Sequence, residues 1–279
     1  MAENSGIAWT NHTFNSWIGC TKVSEGCQFC YAEKWDRVRF SQTTNKEGHL
    51  RDAHWGPNVP RYRTSLSNRN KPRVWNNQSK KSGIRAKVFC SSLSDIFDAE
   101  IPLDWRAEMF AMVKECTHLD WLLLTKRIEN AKNPGFLPAD WGQGYPNAWI
   151  GTTTENQKWA DIRIPILAEI PAVVRFISIE PQIENIDFSK WLKPNPPFDW
   201  MIFGGESGSE RPFDPEWARF AFDEAPKQGV AVFMKQMGSR YAHEKGLKNK
   251  KGDDPAEWPE WARRREFPKP RTIVTEAAP

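Results

Sequence analysis

The sequence predicts an α/β fold built around a parallel β-sheet that is buried on both faces. Six short apolar runs, rich in β-branched and aromatic residues, recur along the chain with centres about 25 to 33 residues apart. Segments with helical spacing of apolar residues lie between them. Continuous apolar strands that alternate with helices are typical of parallel sheets covered by helices. The six predicted strands are Lys87–Leu93, Trp121–Thr125, Ala148–Thr152, Val173–Ile179, Trp200–Gly204 and Gly229–Met234.

Two of the segments between the runs show the helical pattern most clearly. Residues 102–116 and 215–225 both place large apolar side chains at helical spacing. Each segment begins with a proline, which fits the first turn of a helix because the N–H that proline lacks has no partner there. We therefore expect a helix over each segment.

Polar or glycine clusters follow five of the six runs. Ligands of α/β sheets and barrels bind at the carboxyl ends of the strands. One such cluster is usually only a turn or a helix cap, but five together favour a binding site at this end of the sheet. The clusters are Ser91–Asp95, Thr125–Arg127, Gly151–Glu155, Ser178–Glu180 and Gly204–Gly208.

Two segments fall outside the alternation of strands and helices. Residues 41–86 are polar, basic and interrupted by glycine and proline, which indicates an insertion after the first helix. Residues 244–279 lack strand periodicity and are expected to form an irregular tail with a short helix. The main domain is therefore predicted to span residues 1–243.

The net charge of +4 conceals an uneven distribution of charge. Residues 34–87 hold fourteen Lys and Arg against three acids, a local charge of +11, whereas the remainder carries −7. Trp55, Tyr62 and Trp75 lie within this basic segment. Cations interspersed with aromatic rings fit phosphate attraction and base stacking, so DNA is the expected partner of residues 34–87. The alternative is a solvated loop that is basic by composition.

Composition excludes several classes of protein. An apolar content of 39% is enough for a full core, which argues against a disordered chain. The mean hydropathy is −0.68, and the longest apolar runs are far shorter than the roughly twenty residues of a membrane-spanning helix. No secretory signal is visible at the start, so we expect a cytoplasmic protein whose five cysteines form no disulfide framework.

Three cysteines lie close together in the sequence. Cys20, Cys27 and Cys30 have the spacing C-x6-C-x2-C, and Gly26 lies in the loop between the first two. A Cys-x2-Cys pair can turn two thiolates toward one metal, and the loop can bring the third cysteine to join them. These three residues are the predicted metal ligands.

Several kinds of site are compatible with this triad. A structural zinc site would take a histidine as its fourth ligand, for which His12, His49 and His54 are available. A site closed by four cysteines would recruit Cys90 or Cys116. A [4Fe-4S] cluster held by three cysteines would leave one iron open. Since none of the histidines has zinc-finger spacing, the cluster is the favoured interpretation.

The triad resembles the motif of the radical SAM superfamily. In that superfamily three closely spaced cysteines bind a [4Fe-4S] cluster, and the open iron binds S-adenosylmethionine. An aromatic residue commonly precedes the last cysteine, as Phe29 does here. The usual spacing is C-x3-C-x2-C, so the gap of six residues departs from it.

A closer resemblance extends from Trp17 to about Gly238. The chain is similar to a phage-associated three-cysteine-motif family of divergent radical SAM proteins, through the segments WIGCTKVSEGCQFCYAE, FCSSLSDIFD, WLLLTKR, IGTTTENQ, RFISIEP, WMIFGGESG and VFMKQMG. This resemblance implies a partial (β/α)6 TIM-like barrel with the cysteine loop after the first strand. It places that strand near residues 14–18 and the first helix around residues 31–40.

The resemblance also implies which residues contact cofactor and substrate. The loops after the second, fourth, fifth and sixth strands are expected to meet S-adenosylmethionine. The cofactor-binding candidates are Phe29, Ser92, Ser94, Asp95, Thr153, Glu155, Glu180, Gly204, Gly205 and Glu206. Four cations at the same end are candidates for an anionic substrate. They are Lys126, Arg127, Arg211 and Lys235.

The function implied is radical chemistry on nucleic acid. A reduced cluster, supplied by an electron donor, would cleave S-adenosylmethionine so that hydrogen is abstracted from a modified thymine in phage DNA, for example in isomerisation of an amino-acid-substituted thymine. A DNA-lesion lyase is the near alternative, and a zinc-binding, non-catalytic nucleic-acid-binding protein is an alternative of another class. The expected location is the cytoplasm, that of the host if the chain is phage-encoded.

Overall fold

The computed structural model describes residues 2–40, 54–208 and 211–271. Its main feature is a curled sheet of seven parallel strands that forms about half of a barrel, in the order β1-β4-β5-β6-β7-β8-β9. A separate two-stranded antiparallel sheet pairs β2 with β3. The strands are β1 (His12–Phe14), β2 (Trp17–Ile18), β3 (Tyr62–Arg63), β4 (Ala86–Cys90), β5 (Leu119–Thr125), β6 (Ala148–Thr153), β7 (Val174–Ile179), β8 (Trp200–Gly204) and β9 (Ala231–Gln236).

Six α-helices are found among the described residues, and most of them connect neighbouring strands of the main sheet. They are α1 (Tyr31–Phe40), α2 (Leu66–Ser82), α3 (Leu103–Glu115), α4 (Gln157–Glu169), α5 (Arg219–Glu224) and α6 (Ser239–Glu244). Short 3-10 turns supplement them at Glu25–Cys27, Ile128–Lys132, Pro215–Ala218, Ala225–Gln228, Pro255–Glu257 and Glu260–Ala262. None of the helices within the three described ranges has the length and apolar content to cross a lipid bilayer.

Alternate residues of the strands serve two separate cores. One set, exemplified by Leu123 and Ile177, packs in the large cluster that contains the helices. The other set, exemplified by Phe89, Trp149 and Trp200, fills the concave side of the curled sheet. Because side chains alternate across a strand, this sheet is apolar on both faces, as the continuous apolar runs predicted.

The predicted strands are confirmed, with small shifts of their ends and one change of count. The resemblance implies six strands, whereas the sheet contains seven, because β9 pairs in parallel with β8. The first strand is divided: β1 pairs with β4, and β2 leaves the main sheet to pair with β3. The helix expected over residues 102–116 is α3, and the one over residues 215–225 begins as a 3-10 turn and continues as α5.

The part of the insertion that the structure describes is ordered and integrated into the fold. Residues 41–53 lie outside the described ranges, but α2 follows and connects β3 to β4. The Ser65 hydroxyl accepts a hydrogen bond from the Asn68 N–H, and Gly83 ends α2 in a left-handed conformation with φ of 71°. Few side chains of this helix are buried, so its polar and basic sequence lacks the helical spacing of apolar residues by which a helix is predicted.

The aromatic residues of the insertion do not form the expected stacking surface. Trp75 is 1% exposed and stacks on His12 with ring centroids 4.3 Å apart. Trp55 is also buried, and it packs with the small apolar cluster under the cysteine loop. Only Tyr62 of the three exposes its ring to a substantial degree, with 38% of its surface accessible. Indole rings bury large apolar areas, which explains their preference for the core.

The beginning of the predicted tail is also part of the core. Trp258 is 2% exposed, and its indole N–H donates to the Gly252 carbonyl at 2.9 Å. The Met234 N–H donates to the Arg264 carbonyl at 2.9 Å, so this segment pairs with the edge strand β9. Tail residues therefore cover a sheet edge that would otherwise be open. Residues 272–279 lie outside the described ranges.

A substitution at Gly151 tests how tightly the core on the concave side of the sheet is packed. A Cβ atom at this position would lie 2.4 Å from the ring of Phe176, which is fully buried against Trp200. We expect Gly151→Ala to lower the free energy of unfolding by about 1–3 kcal/mol, because the ring has no space to move. Urea denaturation measures the change. Gly6→Ala is the control, since no atom lies within 4 Å of its added Cβ. Equal stability of the two variants would contradict this account.

Candidate active site at the carboxyl ends of the strands

A cavity of about 410 Å³ lies at the carboxyl ends of the strands, above the concave core. Trp9 and Phe89 belong to that core and also line the cavity, so its floor is apolar. Polar residues from the strand ends form the walls, and the cysteine loop, residues 20–30, forms one side. A concave apolar pocket with a few convergent polar groups is the usual form of a ligand site.

All three cysteines of the triad line this cavity. Cys20 follows Gly19, which adopts φ of +112° and approaches the His54 carbonyl so closely that a Cβ atom would lie 2.2 Å from it. Cys27 ends the 3-10 turn Glu25–Cys27, and Cys30 immediately precedes α1. The loop thus brings to one wall three thiols that are separated by up to ten positions in the sequence.

The donor set fits an iron-sulfur cluster in its chemistry. Three thiols that line one cavity are the kind of donor set that holds a cluster with an open iron. Within residues 2–40, 54–208 and 211–271, however, no three His, Cys, Asp or Glu side chains are gathered closely enough to hold a metal ion. Binding of a cluster would therefore require the loop to bring the three thiols closer together.

The alternative fourth ligands lie elsewhere. Cys90 and Cys116 are buried in the helix-covered core, where their thiols contact Met109 and Met112. Neither cysteine is among the described residues that line the cavity. Both are therefore small apolar packing residues, as free buried cysteines usually are.

The histidines proposed for zinc are also directed elsewhere. His12 stacks on Trp75, and the Nδ1 atom of His54 lies 3.1 Å from the carboxylate of Asp36. His49 lies outside the described residues. Neither His12 nor His54 is among the described residues of the cavity wall, so the site offers thiols without imidazole.

The thiols are held in a weakly solvated environment. Burial raises the pKa of Cys20 to about 12, although the nearby Arg127 guanidinium partly opposes this change. Burial also raises the pKa of Cys30. Both groups are protonated at neutral pH in the absence of metal, so a metal must displace these protons in order to bind.

Arg127 and Asp95 fix the start of the cysteine loop. The Arg127 guanidinium lies 3.1 Å from the Asp95 carboxylate and donates to the Cys20 Sγ atom at 3.3 Å and to the Thr21 carbonyl. Asp95 also accepts from the Thr125 hydroxyl and the Lys126 N–H, at 2.6 and 2.9 Å. Sequence reasoning assigned Asp95 to the cofactor and Arg127 to the substrate. Both residues line the cavity, and both also bind each other and the loop.

Glu155 and Arg163 hold the middle of the loop from behind. Glu155 is fully buried, lies 2.9 Å from the Arg163 guanidinium and accepts from the Gly26 N–H at 3.3 Å. A Cβ atom at Gly26 would lie 2.9 Å from the Glu155 carboxylate, so glycine permits this close approach. Glu155 is not among the described residues of the cavity wall. Its predicted contact with cofactor stays a prediction, and in this structure Glu155 positions the loop.

The two glycines after β8 also have a packing role. A Cβ atom at Gly205 would lie 2.3 Å from the Met237 carbonyl, and one at Gly204 would lie 3.3 Å from the Gln236 carbonyl. Neither glycine is among the described residues that line the cavity. They allow β8 and β9 to approach each other, and their predicted contact with cofactor stays a prediction.

Two of the remaining predicted cations are neutralised by acids. Arg211 donates to Glu206 at 2.7 Å and to the Glu25 carbonyl at 2.8 Å, which ties it to the cysteine loop. Lys235 forms an ion pair with Glu180, and both residues line the cavity. Arg211 is outside the described cavity wall and contacts the loop, so its predicted role in substrate binding stays a prediction.

Lys126 differs from the other three cations. Its side chain lines the cavity and is half-buried, and no hydrogen bond or ion pair of its ammonium group is found among the described residues. Burial alone would lower the pKa of Lys126, but interaction of the ammonium group with the ionised forms of Cys27, Glu155 and Cys30 raises it. Lys126 is therefore a cation held at the cavity wall beside the thiols.

The chain matches the model of one protein family over residues 4–262. That model is described as "Protein of unknown function (DUF5131)". This chain belongs to the DUF5131 family. No curated protein and no solved structure matches it. The matched range contains all seven strands of the main sheet and the cysteine loop.

The structure of this DUF5131 chain brings most of the other predicted residues to the cavity. Six cofactor candidates line it, and they are Phe29, Ser92, Ser94, Asp95, Thr153 and Glu180. Glu206 lines it as well, paired with Arg211. The Ser94 hydroxyl finds no partner among the described residues, so it is available to a ligand.

Sequence reasoning missed residues that lie far from the strand ends in sequence. Trp9 precedes β1, and Lys251 and Asp253 come from the tail, yet all three line the cavity. The Gly238 N–H donates to the Lys251 carbonyl at 3.0 Å, which folds the tail back over the end of β9. No periodicity marks such a segment in the sequence.

Glu155→Gln tests the buried support of the loop. Glutamine keeps the size of the side chain and an acceptor for Gly26, but it leaves the fully buried Arg163 without an acid. We expect a loss of about 3–5 kcal/mol in the free energy of unfolding, as for other uncompensated buried charges. Urea denaturation measures it, with Glu216→Gln as the control because that side chain is 62% exposed. A change no larger than that of the control would contradict a supporting role.

Proposed function

We propose that this protein is a radical SAM enzyme that modifies phage DNA, with a half-barrel of the TIM-like type found in that superfamily. The substrate would be a modified thymine, such as an amino-acid-substituted thymine that undergoes isomerisation. The observation that carries the proposal is the position of Cys20, Cys27 and Cys30 on one wall of the cavity. Buried support for the loop and an apolar floor under it agree with this proposal.

The chemistry requires a cluster, S-adenosylmethionine and an electron donor. When bound, a reduced [4Fe-4S] cluster would supply one electron for cleavage of the C5′–S bond of S-adenosylmethionine, which would yield methionine and a 5′-deoxyadenosyl radical able to take a hydrogen atom from the substrate. The three thiols would hold the cluster. A donor protein or dithionite would supply the electron, and each cleavage would consume one.

The residues of this chain would hold the loop rigid and keep water from the reacting atoms. Arg127 donates to the Cys20 Sγ atom, and hydrogen bonds to cluster sulfurs are one of the means by which proteins tune these centres. Glu155 fixes the loop at Gly26. Trp9 and Phe89 make the floor of the cavity apolar, which would keep water away from a reactive radical.

Polar groups around the rim would orient the cofactor. Ser92, Thr153 and Glu180 come from three different strands and line the same cavity. Ser94 adds a hydroxyl without a partner among the described residues. Hydroxyl and carboxylate groups of this kind are suited to ribose and amino groups, which are parts of S-adenosylmethionine.

Lys126 would bind an anionic group of the substrate. Asp95, Glu206 and Glu180 neutralise the other three predicted cations, so Lys126 is the one of the four that is available to a phosphate in the cavity. A base in a duplex has to leave the stack before it can enter a cavity of this kind. A flipped nucleotide would bring its phosphate close to the rim.

The proposed reaction is tested by anaerobic reconstitution with iron and sulfide, followed by reduction in the presence of S-adenosylmethionine. We expect about four irons per chain, which is the content of one [4Fe-4S] cluster, and formation of 5′-deoxyadenosine. Cys27→Ala should abolish both, whereas Cys116→Ala should retain them because Cys116 is buried away from the cavity. Equal 5′-deoxyadenosine from wild type and Cys27→Ala, or a wild type that binds zinc alone, would overturn the proposal.

The role of Lys126 is tested with a short thymidine oligonucleotide that carries a 5′-phosphate. Lys126→Gln should weaken its binding about 10- to 100-fold, because hydrogen bonds to charged groups contribute about 1.5–3 kcal/mol. Calorimetric titration measures the affinity. Lys132→Gln is the matched control, since Lys132 is exposed and pairs with Glu169. If the two variants bind equally well, Lys126 does not contact the phosphate.

A further inference from the structure

Exposed apolar side chains are concentrated at the cysteine loop and α1. Thirteen large apolar residues of the described chain are exposed, and five of them lie between residues 23 and 38. These five are Val23, Phe29, Tyr31, Trp35 and Val38. Apolar groups of a soluble protein are exposed together mainly where something binds.

The exposed residues of α1 share one face of the helix. Tyr31, Trp35 and Val38 are separated by four and three positions, and Lys34 and Arg39 lie between and beside them. The opposite face carries Ala32 and Asp36, which are buried. We call the first set, residues 31, 34, 35, 38 and 39, the α1 stripe.

The stripe combines rings with cations at close range. The Arg39 guanidinium lies 5.0 Å from the centre of the Trp35 ring, and the Lys34 ammonium lies 6.0 Å from that of Phe29. Trp35 is 38% exposed, so one side of its ring is open to a stacking partner. Aromatic rings beside cations are the means by which proteins bind single-stranded nucleic acid without regard to sequence.

The stripe is continuous with the cavity. Phe29 and Tyr31 line the cavity, and the Tyr31 hydroxyl donates to the Ser92 carbonyl at 2.6 Å. From Tyr31 the stripe runs outward along α1, away from the triad. A strand with one nucleotide in the cavity would therefore meet Trp35 and Arg39 with the nucleotides that follow.

We propose that the α1 stripe binds single-stranded DNA next to the nucleotide that enters the cavity, with Trp35 stacking on a base and Arg39 and Lys34 contacting phosphates. This inference rests on the DNA substrate of the proposed function and assigns the surface that holds it. The positive charge of Lys34 and Arg39 complements the phosphates. Trp35 takes over the stacking role that the sequence had suggested for the buried Trp55 and Trp75.

The test measures binding of a fluorescein-labelled oligothymidine of about 12 nucleotides by anisotropy, on the anaerobically purified full chain. Trp35→Ala should weaken binding about 5- to 150-fold, since stacking contributes about 1–3 kcal/mol per base. Trp35→Phe should retain most of the affinity because it keeps a ring. Arg39→Gln should lower the slope of log K against log salt by about 0.7, the value for one phosphate contact.

Matched controls are Phe220→Ala, an aromatic residue of α5 that is 45% exposed, and Lys193→Gln, an exposed lysine outside the stripe. Both should bind like the wild type, and thermal melting shows that every variant is folded. The proposal is wrong if Trp35→Ala and Arg39→Gln bind like these controls, if Trp35→Phe loses as much affinity as Trp35→Ala, or if the wild type does not bind the oligonucleotide.

Binding of duplex DNA is compared with binding of the single strand, in order to test which of the two the stripe prefers. A duplex of the same length should bind more weakly than the single strand, because its bases are stacked internally. Equal loss of duplex and single-strand affinity on Trp35→Ala would overturn the stacking role. Iron content and 5′-deoxyadenosine are measured on the same preparations, so a failure of the radical chemistry is seen separately from a loss of DNA binding.

Discussion

The carboxylate of Asp95 is the acceptor on which the arrangement of the site depends. It accepts hydrogen bonds from the Thr125 hydroxyl, the Phe97 and Lys126 N–H groups and the Arg127 guanidinium. These four donors use the full acceptor capacity of a carboxylate. Through Arg127 the same group reaches Cys20 and the Thr21 carbonyl, so the ends of β4 and β5 are joined to the start of the cysteine loop.

Three different kinds of contact hold the beginning, the middle and the end of the cysteine loop. Arg127 holds its beginning, the buried pair of Glu155 and Arg163 holds its middle, and Arg211 lies 5.1 Å from the Phe29 ring near its end. Each of these contacts uses a charged group that sequence reasoning could also have assigned to a ligand. A six-residue gap between the first two cysteines is long, and these contacts give it one conformation.

Ion pairs distinguish the cations that are already neutralised by acids from the one that is available to a ligand. Ion pairs neutralise three of the four cations assigned to substrate, and Lys126 is left beside the thiols without an ion pair among the described residues. A cation that is half-buried in an acidic and thiol-rich environment retains its charge. The α1 stripe adds rings and further cations at the rim, so the proposed DNA-binding surface is contiguous with the cavity.

The sequence by itself determined the parallel sheet and the positions of its apolar strands, because these follow from local hydrophobic periodicity. The tertiary structure decided the order of the strands in the sheet, since periodicity does not say which strands pair. Asp95, Arg127, Glu155 and Gly204 occupy strand ends as predicted, and the tertiary structure shows that they also support the loop or the packing of strands. Periodicity places a residue at the end of a strand, but pairing across strands decides whether its charge faces a neighbour or the cavity. Neither α2 nor the packed tail segment was predicted, because few side chains of α2 are buried and no periodicity marks the tail.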